Sequence, residues 1–175
     1  MDIAKLKRIF DFLEEKENLN QPVVWKLKNN IPLKEEDLNV KGDLDLSKSN
    51  ITLLPEGLKV GGTLNLFKLK IQTLPEGLKV GDNLVLAFSS IQTLPKGLKV
   101  GGTLNLNNCE DITLLPKGVK IGTSLYLRGS KITSLPKGLK VLYNLYINGA
   151  YLEQYSDNEL REMVKPGFIK GKIIR

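Results

Sequence analysis

Three sets of side chains in this sequence could do chemistry. Phe67, Val85, Phe88, Asn105, Asn107, Tyr126, Arg128 and Tyr146 offer aromatic, apolar and cationic contacts. Aromatics and arginine are the residue types enriched where proteins grip one another. Lys96, Lys99, Lys117, Lys120, Lys137 and Lys140 recur at a spacing that groups six ammonium groups, a patch able to attract phosphates or an acidic protein. The third set comprises Cys109 and the carboxylates Asp43, Asp45, Glu110 and Asp111. The sequence has no histidine, so the usual base for a Ser or Cys nucleophile and the commonest transition-metal ligand are missing. Asp43 and Asp45 flank Leu44, but two carboxylates without further oxygen ligands make a weak cation site. The pairs Gly61-Gly62 and Gly101-Gly102 do not lead into a helix as a phosphate-cradling loop would. The expectation is a binding protein, not an enzyme, with no cofactor and no metal.

The elements that must position these groups are repeats. Leu-Pro recurs at Leu54-Pro55, Leu74-Pro75, Leu94-Pro95, Leu115-Pro116 and Leu135-Pro136, in steps of 20, 20, 21 and 20 residues. A fixed period of this length marks a solenoid, each unit one turn stacked on its neighbours. With the first leucine of each Leu-x-Leu pair (Leu44, Leu64, Leu84, Leu104, Leu125, Leu145) numbered zero, apolar residues return at +2, +7, +10, +14 and +16. One extra residue after Cys109 accounts for the step of 21. Leu-x-Leu alternates like a strand with one buried face, and Leu-Lys-Val alternates well enough for a second short strand. Proline after the +10 leucine holds the chain extended, and glycine at +13 supplies a corner. The fold class expected is a mainly β solenoid, a right-handed coil of about six turns with helical caps. All of it forms one structural domain: an N-terminal cap over residues 1–37, the coil over 38–155 and a C-terminal cap over 156–175.

Both caps have sequence signals. Ile3, Leu6, Ile9, Phe10 and Leu13 share one face of a first helix; a second starts near Pro22 and carries Val23, Val24 and Leu27. Trp25 is expected to help seal the first turn, the alternative being an exposed anchor. Ser156 followed by Glu159 is a capping box, with Tyr155 and Leu160 as its staple. Gly171 and Ile173 then match Gly42 and Leu44, so the chain closes on half a repeat and reads as complete.

At these residues the pattern resembles a leucine-rich repeat of the short bacterial and phage class whose turns carry Leu-Pro. That class also occurs in secreted ubiquitin-ligase effectors. The resemblance spans about residues 38–155 and implies parallel strands lining one face, with a protein partner recognised there. Two columns depart from it. Gly61, Gly81, Gly101 and Gly122 replace a leucine three residues before the pair, where Val or Ile one residue earlier can substitute. The asparagine position, +5, holds Ser49, Leu69, Ser89, Cys109, Ser130 and Ala150. The effectors' ligase domain is not present, so their activity is not implied.

Within this frame +1 and +3 face outward, alternating with the buried leucines. Column +1 runs Asp45, Asn65, Val85, Asn105, Tyr126, Tyr146; column +3 runs Ser47, Phe67, Ala87, Asn107, Arg128, Asn148, with Phe88 beside it. The repeat varies here, which suits a partner face; the plainer reading is that the aromatics cover the sheet or pack on a lid. Lysine repeats at +15 in Lys59, Lys79, Lys99, Lys120 and Lys140. At +12 stand Glu56, Glu76, Lys96, Lys117 and Lys137, and the first two turns could pair glutamate with lysine. The plainer reading of these charges is a solvated face that also discourages strand-to-strand aggregation. Cys109 reads as a structural thiol.

The net charge of +7 arises in the repeats and the C-terminal segment, since residues 1–42 carry 8 basic and 8 acidic side chains. Apolar runs are too short to span a bilayer, and the N-terminus lacks a secretory pattern. A cytoplasmic protein is expected (host cytoplasm if phage-encoded), acting as an inhibitor or adaptor by binding a protein. Nucleic acid or another polyanion is the alternative partner, a membrane is not expected, and oligomeric state is not read.

Overall fold

The computed structural model describes residues 22–175 together with Lys7, Asp11, Phe12 and Glu14. The expected apolar face of Ile3, Leu6, Ile9, Phe10 and Leu13 lies outside the described residues. Helix α1 spans Val23–Lys28 and a 3-10 turn Glu35–Leu38. Then come two-residue strands in pairs: β1 Asn39–Val40 and β2 Leu44–Asp45, β3 Lys59–Val60 and β4 Leu64–Asn65, β5 Lys79–Val80 and β6 Leu84–Val85. The series continues with β7 Lys99–Val100 and β8 Leu104–Asn105, β9 Lys120–Ile121 and β10 Leu125–Tyr126, β11 Lys140–Val141 and β12 Leu145–Tyr146. A second 3-10 turn, Tyr151–Gln154, leads to α2, Asp157–Met163, and to β13 Phe168–Ile169 and β14 Ile173–Ile174.

The odd-numbered strands form one parallel sheet of seven and the even-numbered strands another. Register follows the repeat, with Leu44 beside Leu64 and Lys59 beside Lys79. The chain is a mainly β solenoid, as its period requires. Both Leu-x-Leu and the Lys-Val that follows each +14 aliphatic make strands, so every turn contributes two. The ladder runs past the strand ends, for Leu66 donates to the Val85 carbonyl at 2.8 Å and Lys68 to that of Ala87 at 3.1 Å.

The six apolar positions of each turn point into one interior. In the second turn Leu64, Leu66, Ile71, Leu74, Leu78 and Val80 are all buried. At roughly 1.5–3 kcal/mol per buried aliphatic side chain, no single turn outweighs the entropy of ordering about 20 residues, so the turns stand together. The +13 glycines take left-handed φ values, 77° at Gly57 and 80° at Gly118. The glycines three residues before each pair serve another need. A Cβ on Gly81, Gly101 or Gly122 would overlap the carbonyl oxygen of the same glycine one turn earlier. Val60, Val80, Val100 and Ile121 fill the interior beside them.

One expectation about the N-terminal cap is corrected. Val23, Val24 and Leu27 pack on the coil, but Trp25 is 38% exposed and does not seal it. At 3.6 residues per turn, Trp25 falls about 200° around α1 from Val23 and from Leu27. Lys26 is buried instead, its Nζ 2.7 and 2.8 Å from the two carboxylate oxygens of Asp37. Burial pushes the Asp37 carboxyl up, but hydrogen bonds from Lys26 and the Lys34 N–H outweigh it and hold the pKa below 3.8. At the other end the Ser156–Glu159 capping box forms and Leu160 is buried. The Arg161 guanidinium donates to the carbonyls of Ile169 and Gly171, tying α2 to the last half-turn. Ile173 takes the register of Leu145. Among the described residues no helix is long and apolar enough to cross a membrane.

Candidate functional site

Three of the turns leave the even-strand sheet through a tight bend fixed by the +1 side chain. The Oδ1 atoms of Asp45, Asn65 and Asn105 accept the N–H two residues on, from Ser47 at 2.9 Å, Phe67 at 3.1 Å and Asn107 at 3.0 Å. Those bonds hold the Asp45 carboxyl below 3.8, the hydrogen bonds from Ser47 being the main cause. The residue at +4 then turns left-handed, with φ 55° at Lys48, 58° at Lys68, 60° at Phe88 and 53° at Asn108. Gly129 and Gly149 hold that position in the last two turns, with φ 64° in both.

This bend projects Phe88 outward, where it is 52% exposed. Its ring meets that of Phe67 edge to face, with centroids 5.7 Å apart and planes at 81°. The Lys68 ammonium lies 5.3 Å from the Phe67 centroid and 5.7 Å from that of Phe88. Beside the pair is a hollow of about 530 Å3 lined by Phe67, Val85, Ala87, Phe88, Asn105, Asn107, Asn108 and Arg128. Six of the eight residues singled out from sequence therefore share one depression. The other two, Tyr126 and Tyr146, stack at 4.1 Å with planes 8° apart. The neighbouring Tyr146 hydroxyl raises the Tyr126 pKa, burial adding to it. Tyr146 is lowered chiefly because its oxygen accepts from the Asn144 amide.

Sequence reasoning missed three contributors. Ala87 makes the hollow by being small between larger +3 neighbours, and it is buried. Asn108 and Lys68 stand in the same +4 column as Phe88, which was the available signal. Conversely, Asn105 and Asn107 use their Oδ1 atoms inside the fold, Asn107 accepting from the Arg128 N–H at 2.9 Å.

The lysines divide. Lys99, Lys120 and Lys140 stand in register with Lys59 and Lys79 on the odd-strand sheet, along a groove of about 550 Å3. Lys96, Lys117 and Lys137 are exposed but do not line it, since each is followed by a left-handed glycine that turns the chain. The pairing open to Glu56 and Glu76 with Lys59 and Lys79 is not found: among the described residues neither glutamate makes an ion pair.

Cys109 is fully buried, its thiol donating to the Leu86 carbonyl at 3.0 Å, and burial pushes its pKa up, away from a reactive thiolate. Asp43 accepts from the Thr63 N–H at 2.7 Å, so both carboxylates beside Leu44 cap backbone. Among the described residues no three His, Cys, Asp or Glu side chains gather as a metal site would need. Comparison with protein-family models, with curated proteins and with solved structures finds no match for this chain.

Proposed function

We propose that this chain is a leucine-rich repeat of the short Leu-Pro type, not an enzyme, whose activity is to bind a protein through its even-strand face. The observation that carries this reading is Phe88. A bulky side chain in the left-handed region is an outlier whose backbone costs about 1–2 kcal/mol. Here the same residue also leaves half of its ring in water. Glycine stands in the equivalent place in two other turns, so the bend does not need phenylalanine. Strain and exposed apolar area concentrated in one residue are features of binding sites. The partner places an apolar side chain in the hollow beside Phe67 and Phe88. It offers an acidic group to Arg128, and a flat surface packs on the Tyr126–Tyr146 stack.

Capture from a native lysate at high salt tests this with Phe88→Gly and Tyr126→Ala variants. Loss of one retained protein in both variants is expected, because apolar contact resists salt. Capture that survives both changes but fails when Lys96, Lys99, Lys117, Lys120, Lys137 and Lys140 are reversed in charge would sink the reading.

A further inference from the structure

The groove on the odd-strand sheet is a second site, independent of the aromatic face. We infer that it binds an extended acidic polypeptide segment in which carboxylates alternate with apolar residues. Its wall is the in-register column of Lys59, Lys79, Lys99, Lys120 and Lys140, and no carboxylate lines it. Like charges directly opposite on adjacent strands destabilise a sheet. The fold does not require them, because the same register holds Asn39 at one end and Phe168 at the other.

The floor is bare backbone, because the stacked glycines Gly61, Gly81, Gly101 and Gly122 have no room for a side chain. Leu142 takes the glycine position in the next turn and marks the groove's end. It is 43% exposed there, and its N–H bond to the Ile121 carbonyl stretches to 3.4 Å, against 3.0 Å for Gly122 to Val100. Between Lys59 and Lys140 none of the five ammonium groups has an ion-pair partner among the described residues, and only Lys140 meets a ring, Phe168 at 5.8 Å.

Dimensions and chemistry select the occupant. Five strands at about 4.8 Å spacing give a lysine column roughly 19 Å long, the length of about six extended residues. Such a chain shows one carboxylate per ~6.6 Å along one edge, within reach of flexible lysine stems. Its apolar residues rest on the glycine floor, where water is displaced. A single-stranded nucleic acid would want rings for its bases, and no aromatic side chain lines the groove.

Fluorescence anisotropy with the full chain decides it, using fluorescein-labelled (Glu-Val)4, (Glu-Ser)4 and (Lys-Val)4 peptides and a 12-nucleotide oligothymidylate. Saturable binding of (Glu-Val)4 is expected, several-fold weaker for (Glu-Ser)4 and undetectable for (Lys-Val)4. The Lys79→Glu/Lys99→Glu/Lys120→Glu variant should lose at least tenfold in affinity with its circular dichroism unchanged. The matching Lys→Gln triple variant carries the test if charge reversal unfolds the chain. No binding of (Glu-Val)4, equal binding by the folded triple variants, or tighter retention of the oligonucleotide through these lysines would overturn the assignment.

Discussion

The two sheets share one backbone repeat, yet their outward columns are opposites. On the odd-strand sheet lysine stands at five successive turns. On the even-strand sheet the equivalent outward column runs Asp45, Asn65, Val85, Asn105, Tyr126 and Tyr146. Strand length and register are the same in both, so strand pairing alone dictates neither column. A uniform column suits a ligand with a repeating charge, whereas a mixed one suits a surface with a single shape. The mixed face also does structural work, because Asp45, Asn65 and Asn105 cap their own bends. The lysine column makes no comparable bond.

What the faces hold in common should give the largest effects. Leu104 is fully buried between them, and Leu104→Ala is expected to cost about 3–5 kcal/mol as transfer and cavity terms add. Urea denaturation would measure it, and peptide binding and partner capture should fall together. Loss at one face alone would show that the turns do not transmit damage across the coil. Next comes the N-terminal lid, beside the first strands of both sheets. Lys26→Ala leaves the half-buried Asp37 carboxylate with only the Lys34 N–H as partner, at a cost of about 1.5–3 kcal/mol, while Lys26→Met with Asp37→Leu should restore stability. The pH dependence follows from the sign of the Asp37 shift. Its folded pKa lies below 3.8, so its contribution is complete above pH 3.8 and disappears as pH falls through the lower folded value. Urea midpoints at pH 7 and pH 3 should therefore drop further for the wild-type chain than for the Met/Leu pair.

The contrast between the faces was partly legible in the sequence. Leu64, Leu66, Ile71, Leu74, Leu78 and Val80 could be placed inside because hydrophobic period alone decides which side of a strand is dry. The gathering of Phe67, Val85 and Phe88 followed from the same alternation. Trp25 was misread because a six-residue helix has too few apolar positions to fix its phase, and the Lys26–Asp37 pair joins residues from two different elements. The left-handed Phe88 was hidden as well, since that conformation belongs to the bend, although Gly129 and Gly149 in its column hinted at it. The lysine groove was read as charge without a floor. Gly81 and Gly101 read as replacements for a leucine, and only the stacking distance shows that they leave no room for a Cβ.

Phe88→Gly sharpens the comparison on the aromatic face. Glycine relieves a backbone strain of about 1–2 kcal/mol, while the lost edge-to-face contact with Phe67 is worth about 0.5–1.5 kcal/mol. The melting temperature should stay within a few degrees of wild type, although partner capture falls by more than tenfold. A large loss of stability would make Phe88 a packing residue and return the face to the plain covering role.

The smallest expected effects have opposite signs on the two faces. Lys99→Gln removes an ammonium flanked in register by Lys79 and Lys120, and relief of that repulsion should stabilise the chain by about 0.2–1 kcal/mol. Because the ammonium groups are exposed, the gain should shrink as salt rises. Asn105→Ala, in the adjoining strand, removes the acceptor for the Asn107 N–H and should cost about 0.5–1.5 kcal/mol at any salt concentration. Thermal melts of both variants at low and high salt would separate a column kept despite its effect on the fold from one the fold uses. If Lys99→Gln destabilised the chain instead, the lysine stems would be packing on the glycine floor, and the column would need no ligand to explain it.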